Sequence, residues 1–227
     1  MIIGVCGFIG SGKDTIADYL ANIHQYRRES FATTLKDAVA QVFGWDRVLL
    51  EGRTKQSRLW RDQVDTWWAT RLNMPNLTPR LMLQLWGTEV CRRGFHDDIW
   101  IASLENKLRK ITDNVVISDC RFPNEIDSIR NSGGIVVRVK RGPDPEWYND
   151  AMQYNRGEVA NMAWALSRAK LDNLNVHASE SAWVGTNFDY VLDNNATLDH
   201  LYQQINDLLQ DHQVSREDQA EQSRLHS

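Results

Sequence analysis

Cysteine is scarce. Cys6, Cys91 and Cys120 are three in 227 residues, an odd number at wide spacing, which argues against a disulfide framework or a zinc cluster and predicts reduced thiols. No apolar run approaches the roughly 18 residues of a membrane span. Met1 leads straight into IIGVC with no basic n-region, so the expectation is a cytoplasmic protein with no membrane partner. Basic residues never gather into a tract: 26 Lys and Arg face 30 Asp and Glu, a net charge of −4. Arg27-Arg28 and Arg92-Arg93 are only pairs, so nucleic acid is not an expected partner. What remains is a globular composition, 42% hydrophobic and 25% charged with nine tryptophans. Its length suits one domain, or one domain carrying an inserted lid.

Residues 1 to 6 read as a buried strand, Gly7 to Gly12 as a tight turn, and Ile16, Ala17, Leu20 and Ile23 as the inward stripe of a helix. An extended stretch follows at 28 to 31. A helix capped by Thr33 or Thr34 then carries Leu35, Ala38, Val39 and Val42 and stops at Gly44. Trp60, Val64, Trp67 and Leu72 predict a helix over 54 to 73. Thr78-Pro79 caps another that runs through Gln84 and Trp86. Asp97 or Asp98 caps a helix bearing Ile101, Leu104, Leu108 and Ile111. VVISD at 115 to 119, IVVRV at 135 to 139 and FDYVLDN at 188 to 194 read as strands, with a short helix from Pro123 to Asn131 stopped by Gly133-Gly134. Leu198, Leu201, Ile205, Leu208 and Leu209 form a closing amphipathic helix, and the wholly polar segment 213–227 is expected to be a disordered tail. Strands alternating with helices imply a mostly parallel sheet covered on both faces, with ligands at the carboxyl ends of its strands. Gly7 to Lys13, Asp119 to Arg121 and Lys140-Arg141 all fall on those ends.

The stretch GFIGSGKDT, between a buried strand and a helix, has the G-x-x-x-x-G-K pattern of a phosphate-cradling P-loop. Successive N–H groups curl around phosphates, glycines permit close approach, and the helix N-terminus adds its positive end. Gly10, Ser11, Gly12, Lys13, Asp14 and Thr15 are the candidate nucleotide contacts, with Lys13 the cation for the β- and γ-phosphates. Asp14 stands where a Ser or Thr normally holds Mg²⁺. A carboxylate beside a triphosphate is tolerable only with a cation between them or with its charge turned away, and Mg²⁺, which takes one or two carboxylates, is the natural mediator. The plainer reading is a favourable charge in a helix's first turn. The fold expected is a P-loop NTPase three-layer α/β/α sandwich with a five-stranded, mostly parallel sheet and a helical lid insertion.

GSGKDT at 10 to 15, LQLWGTEVCR at 83 to 92, SDCRFPNEID at 118 to 127 and HASE at 177 to 180, with a final DNxxTLDxL-like segment, together resemble the bacteriophage deoxynucleoside monophosphate kinases. The resemblance covers most of residues 1 to 210. It implies a kinase domain over 1–212, with an acceptor-binding helical region at about 32–112 and a lid at about 142–183. It further implies ATP- and Mg²⁺-dependent phosphorylation of deoxynucleoside 5′-monophosphates for DNA precursor supply.

The residues suit that chemistry. The attacking phosphate oxygen is already ionised near neutral pH, because its second pKa is about 6. The site therefore needs cations in a dry cleft rather than a general base. Asp119, at the end of a buried strand, is placed to order magnesium-bound water, or is simply a strand-end aspartate. Arg121 is a clamp for the acceptor phosphate, or an ion pair with Glu125. Lys36, Arg80 and Arg92 are candidates on the helices flanking the acceptor, each equally readable as a surface charge. Gln84, Thr88 and Glu89 are candidates for base or sugar contacts. Trp86 either stacks on the base or packs in the core, while Trp60, Trp67 and Trp68 read as packing. The connection between the last two strands exceeds what a plain domain needs. It reads as a mobile cover whose Arg141, Arg156 or Arg168 closes on the transferred group, with Arg141 the leading candidate. His177 and Glu180 fit either ligand contact or a hydrogen bond pinning the lid's return. The partners expected are small molecules, and the tryptophan-rich helix faces fit either core or a homodimer interface. Two other readings share the loop: a kinase for another phosphorylated metabolite such as dephospho-coenzyme A, and a nucleotide-binding switch or assembly protein.

Overall fold

The computed structural model describes residues 1–157, 161–176 and 178–225, the stretch 214–225 by its backbone alone. His177 lies outside the described residues. In chain order the elements begin β1 (Ile2–Cys6), α1 (Lys13–His24), β2 (Arg27–Glu29), α2 (Thr33–Phe43), α3 (Arg47–Glu51), α4 (Lys55–Arg61), α5 (Thr66–Arg71) and α6 (Pro79–Gln84). A π-helix (Leu85–Arg93) precedes α7 (Ile99–Leu108), β3 (Val115–Ile117), α8 (Pro123–Asn131), β4 (Ile135–Lys140), α9 (Tyr148–Arg156), α10 (Met162–Asn173), α11 (Ala178–Ser181), β5 (Tyr190–Asp193) and α12 (Leu198–Leu225). They form two compact units, Met1–Arg28 with the chain from Asp113 onward, and Glu29–Thr112.

The first unit is built on a five-stranded sheet in the order β2-β3-β1-β4-β5. β1 runs parallel to β3 and to β4, and β4 parallel to β5, with Ile3 opposite Val116, Cys6 opposite Arg138 and Lys140 opposite Asp193. The inner strands are apolar nearly end to end, as strands covered on both faces must be. Ile3, Val5, Val116, Val137, Val139 and Leu192 pack with Ile16, Ala17 and Leu20 of α1 and with Leu201, Ile205 and Leu208 of α12. Tyr19 and Tyr202 stack at 4.0 Å between the ring centres of those two helices. Helix α12 continues to Leu225, where a disordered tail was expected. Beyond His212 there is no apolar stripe, but neither is there Pro or Gly, and Gln, Arg, Glu and Ala carry the helix on by propensity.

In the second unit Val39, Phe43, Trp45, Leu50, Ala69, Leu77 and Met82 form a separate core. The single helix expected over 54 to 73 is two, α4 and α5. Asp65 breaks it by capping Trp68 N at 3.1 Å, accepting Trp45 Nε1 at 2.8 Å and donating its own N–H to Leu77 O. The Thr78-Pro79 start is as expected, with Thr78 Oγ1 accepting Leu81 N at 3.1 Å. The helix it opens then widens into the π-helix, which carries most of the LQLWGTEVCR stretch. π-Helical turns are rare and are frequently found at functional sites. Among the described residues no helix is long and apolar enough to cross a membrane.

Candidate active site

The loop after β1 is a cradle that only glycine can form. Gly7, Gly10 and Gly12 have φ of 152°, 79° and 109°, and the last two lie firmly in territory that side chains avoid. A Cβ on Gly12 would overlap the Asn194 amide, and one on Gly7 would sit 2.6 Å from Ser11 Oγ and 2.7 Å from Val139 O. Ser11 is buried and its Oγ has no hydrogen-bond partner among the described residues. An enclosed hydroxyl without a partner is costly unless a ligand atom supplies one. Lys13 Nζ donates to Gly7 O and to Phe8 O, both at 2.8 Å. Burial, and after it the Arg121 guanidinium, push the Lys13 pKa below the ordinary lysine value. The charge of Arg121 is thus felt at Lys13.

The carboxyl ends of the other strands reinforce this edge. Asn194, just past β5, donates from Nδ2 to Ser11 O at 2.8 Å and from its backbone to Lys140 O at 2.8 Å. Asn195 Oδ1 accepts Gly142 N at 2.6 Å. Both asparagines escaped the sequence reading as site residues, although DN at the end of a parallel strand was the available signal. After β3, Glu125 is buried and accepts the backbone N–H groups of Arg121 at 2.8 Å and Phe122 at 3.2 Å. It fixes the turn that aims Arg121, whose Nη1 lies 3.4 Å from Ser179 Oγ. Asp119 is half-buried at the same turn. Cys120 is fully enclosed beneath it, held well above the ordinary thiol pKa by burial first and a hydrogen bond with Cys6 second, and all three cysteines are free thiols.

Asp14 is 81% exposed in its side chain and bonds Arg28 Nη2 at 2.7 Å. Arg28 also binds Asp18 and reaches Ser118 Oγ at 3.3 Å. A cation beside Asp14 is thus supplied by the chain itself, from an edge strand whose arginine the sequence reading did not single out. Among the described residues no three His, Cys, Asp or Glu side chains gather as a metal site. The donors at hand, the Asp14 and Asp119 carboxylates and the Thr15 hydroxyl, suit Mg²⁺, which draws most of its ligands from water and phosphate.

Of the three arginines expected in a lid, Arg156 bonds Gly185 O and Asn187 Oδ1, and Arg168 lies 3.7 Å from Asp172 and over the Trp164 ring. Arg141 is exposed just after β4, with no hydrogen bond or ion pair to another described residue. Within the second unit Lys36 is no solvated surface charge: Nζ binds Glu51 Oε1 at 2.8 Å, and Arg47 takes the other oxygen at 2.6 Å. Arg80 is paired with Asp62, and Glu89 with Arg93 at 2.7 Å. Gln84 is exposed, while Thr88 and Arg92 are half-buried on the π-helix. Trp86 packs edge-on to Phe43 with ring centres 6.0 Å apart, against the core.

A strand, a glycine cradle, a lysine and a helix at one edge of a parallel sheet define a P-loop nucleotide-binding α/β fold. No protein-family model matches the chain. It is 29% identical over 219 residues to a protein of Acanthamoeba polyphaga mimivirus named "Putative deoxynucleotide monophosphate kinase", covering 90% of this chain and 94% of the relative. It is also 29% identical over 181 residues to the deoxynucleoside-5′-monophosphate kinase of Escherichia phage T5, covering 58% of this chain and 72% of that one. The resemblance carried by the four motifs is borne out by these relatives. Among solved structures, shikimate kinase from Aquifex aeolicus aligns over 94% of this chain and 99% of its own at 12% identity, with a TM-score of 0.46.

Proposed function

We propose that the chain is a kinase that transfers the γ-phosphoryl group of ATP, with Mg²⁺, to a deoxynucleoside 5′-monophosphate, giving ADP and the deoxynucleoside diphosphate. The observation that carries this reading is the cradle itself, with an enclosed Ser11 hydroxyl that has no hydrogen-bond partner among the described residues and with Lys13 held against the loop carbonyls of Gly7 and Phe8. The names of the two relatives supply the acceptor class. An oxygen of the acceptor phosphate forms a bond to the γ-phosphorus as the bond from that phosphorus to the β–γ bridging oxygen breaks, and the electron pair stays with ADP. That acceptor oxygen is already ionised near neutral pH, so no side chain has to remove a proton. The loop N–H groups and Lys13 bind the donor phosphates, with Lys13 exchanging a loop carbonyl for a phosphate oxygen. Arg121 stabilises charge on the transferred group, and Arg141 is a second candidate for that role. Asp14, Thr15 and Asp119 would hold Mg²⁺, directly or through its waters, and the ion would supply positive charge against the phosphates. The test is to offer each of the four deoxynucleoside monophosphates, with ribonucleotide and dephospho-coenzyme A controls, to the purified protein with MgATP and to measure diphosphate formation. Turnover confined to a non-nucleotide acceptor, or ATP hydrolysis indifferent to any acceptor, overturns the reading.

A further inference from the structure

We propose that Asn194, the first residue past β5, is a positioning residue for the donor phosphates: it holds the peptide between Ser11 and Gly12 with its N–H, and not its carbonyl, turned to the ligand. That the cradle takes a triphosphate rests on the kinase reading above; the orientation of the peptide rests on geometry within the first unit. Asn194 is 8% exposed, and its Nδ2 donates to Ser11 O at 2.8 Å. A carbonyl only accepts, so the amide must present its nitrogen there. That nitrogen also stands directly against Gly12, 2.4 Å from where a Cβ would be. In a trans peptide the C=O and N–H point in opposite directions. Engaging Ser11 O therefore aims the Gly12 N–H away from Asn194, where no described residue accepts it.

The peptide needs such a hold because glycine leaves it a choice. Rotating its plane by half a turn changes only ψ of Ser11 and φ of Gly12, and Gly12, now at φ 109°, tolerates either sign of φ. In the rotated form a carbonyl oxygen would face the phosphates in place of an N–H. Asn194 opposes that form from a rigid seat. Its own N–H is bonded to Lys140 O at 2.8 Å. Before it, Gln204 of α12 grips the Asp193 backbone twice, accepting Asp193 N at 2.9 Å and donating to Asp193 O at 2.8 Å. After it, Asn195 Oδ1 accepts Gly142 N at 2.6 Å. The amide is thus fixed before any ligand arrives, which is what a preorganised set of phosphate donors requires.

The experiment uses the full chain with Asn194→Ala and with Asn194→Asp, which keeps the shape of the side chain but, at about pH 8, carries an ionised carboxylate with no proton to donate. Calorimetric binding of magnesium tripolyphosphate tests the cradle without base or sugar. Its Kd should rise by about 10- to 100-fold in Asn194→Ala, the loss of one hydrogen bond to a charged oxygen, and the KM for ATP should rise with it while the acceptor KM stays within about twofold. The direct signature is the Gly12 N–H of the ligand-free protein. Residual dipolar couplings, which report the direction of that bond, should match the orientation set by the Ser11 carbonyl on Asn194 in wild type and depart from it in both variants, with the couplings of β1 and β4 unchanged. If no nucleotide is phosphorylated but tripolyphosphate binding and the Gly12 N–H respond as stated, the kinase reading fails and the positioning role stands. A tripolyphosphate Kd in Asn194→Ala within about twofold of wild type overturns it, whatever the Tm does. So does a Gly12 N–H that keeps its direction in both variants, which would leave Asn194 a bond of the fold alone.

Discussion

On the proposed reading, Asp14 in the first turn of α1 would repel a triphosphate, and Arg28, which binds Asp14 and Asp18 together, offsets part of that charge. With Asp14 so exposed, the pair adds little to stability, about 0.2–1 kcal/mol, and its value lies in reducing the negative charge beside the cradle. Lys13 has the opposite task. Replacing it by Met should lower kcat by about 10²- to 10³-fold, the usual loss for one preorganised donor; steady-state kinetics showing near-normal turnover would remove the loop from the chemistry. Glu51 is the residue with the clearest pH signature. Burial opposes its ionisation, but the hydrogen bonds from Lys36 and Arg47 prevail and bring its pKa from 4.5 down to about 2. Because the folded value lies below the unfolded one, the stabilisation is fully present above about pH 4.5 and is lost as pH falls through about 2. Thermal unfolding followed from pH 6 to 2 should show the advantage of wild type over Glu51→Gln shrinking across that window; a constant difference would contradict the ion-pair assignment.

The loop, α1 and the strand ends form one braced element, and Gly12 is its tightest point. An alanine there combines a left-handed backbone with overlap on the Asn194 amide. Strain of about 1–3 kcal/mol should cost Gly12→Ala about 2–12 °C in Tm for a chain of this size. Calorimetry finding a loss under 1 °C would mean the brace is slack. The strands and the loop were legible because their signals are local: IIGVC, VVISD and IVVRV are largely apolar runs, and GSGKDT announces the turn between strand and helix. What escaped depends on distant partners. Asp65 splits α4 from α5 through Trp45 and Leu77, and the π-helix has its Gly87 carbonyl held by Trp100 Nε1 at 2.9 Å. Asn194 reaches Ser11 across 183 positions, and Arg28 acts through Asp14, fourteen positions earlier. No periodicity encodes such pairings.

On the scale of the molecule, the excursion between β4 and β5 is not uniform. Its base is fused to the cradle: Phe8 packs on Trp147, Tyr148 and Trp183 with ring centres 5.5, 6.1 and 4.7 Å away. Helix α9 is pinned by Asn155, which donates to Ser181 O and Val184 O, and by fully buried Ala151. Helix α10 is different, packing on α9 while Met162, Leu166 and Leu174 around it stay exposed. Trimming the whole of 145 to 178 would therefore strip two aromatic contacts from Phe8, whose carbonyl holds Lys13, and would confuse loss of a lid with damage to the loop. Replacing only 161–176 by a short Gly-Ser turn avoids this. If that segment is the part that excludes water, the shortened protein should bind ATP with a Kd within about threefold of wild type. Its acceptor phosphorylation should fall by at least about 10²-fold, and ATP hydrolysis to water should rise relative to transfer. Calorimetric ATP binding and a coupled assay with and without acceptor measure all three, and transfer at the wild-type rate would leave α10 no part in catalysis.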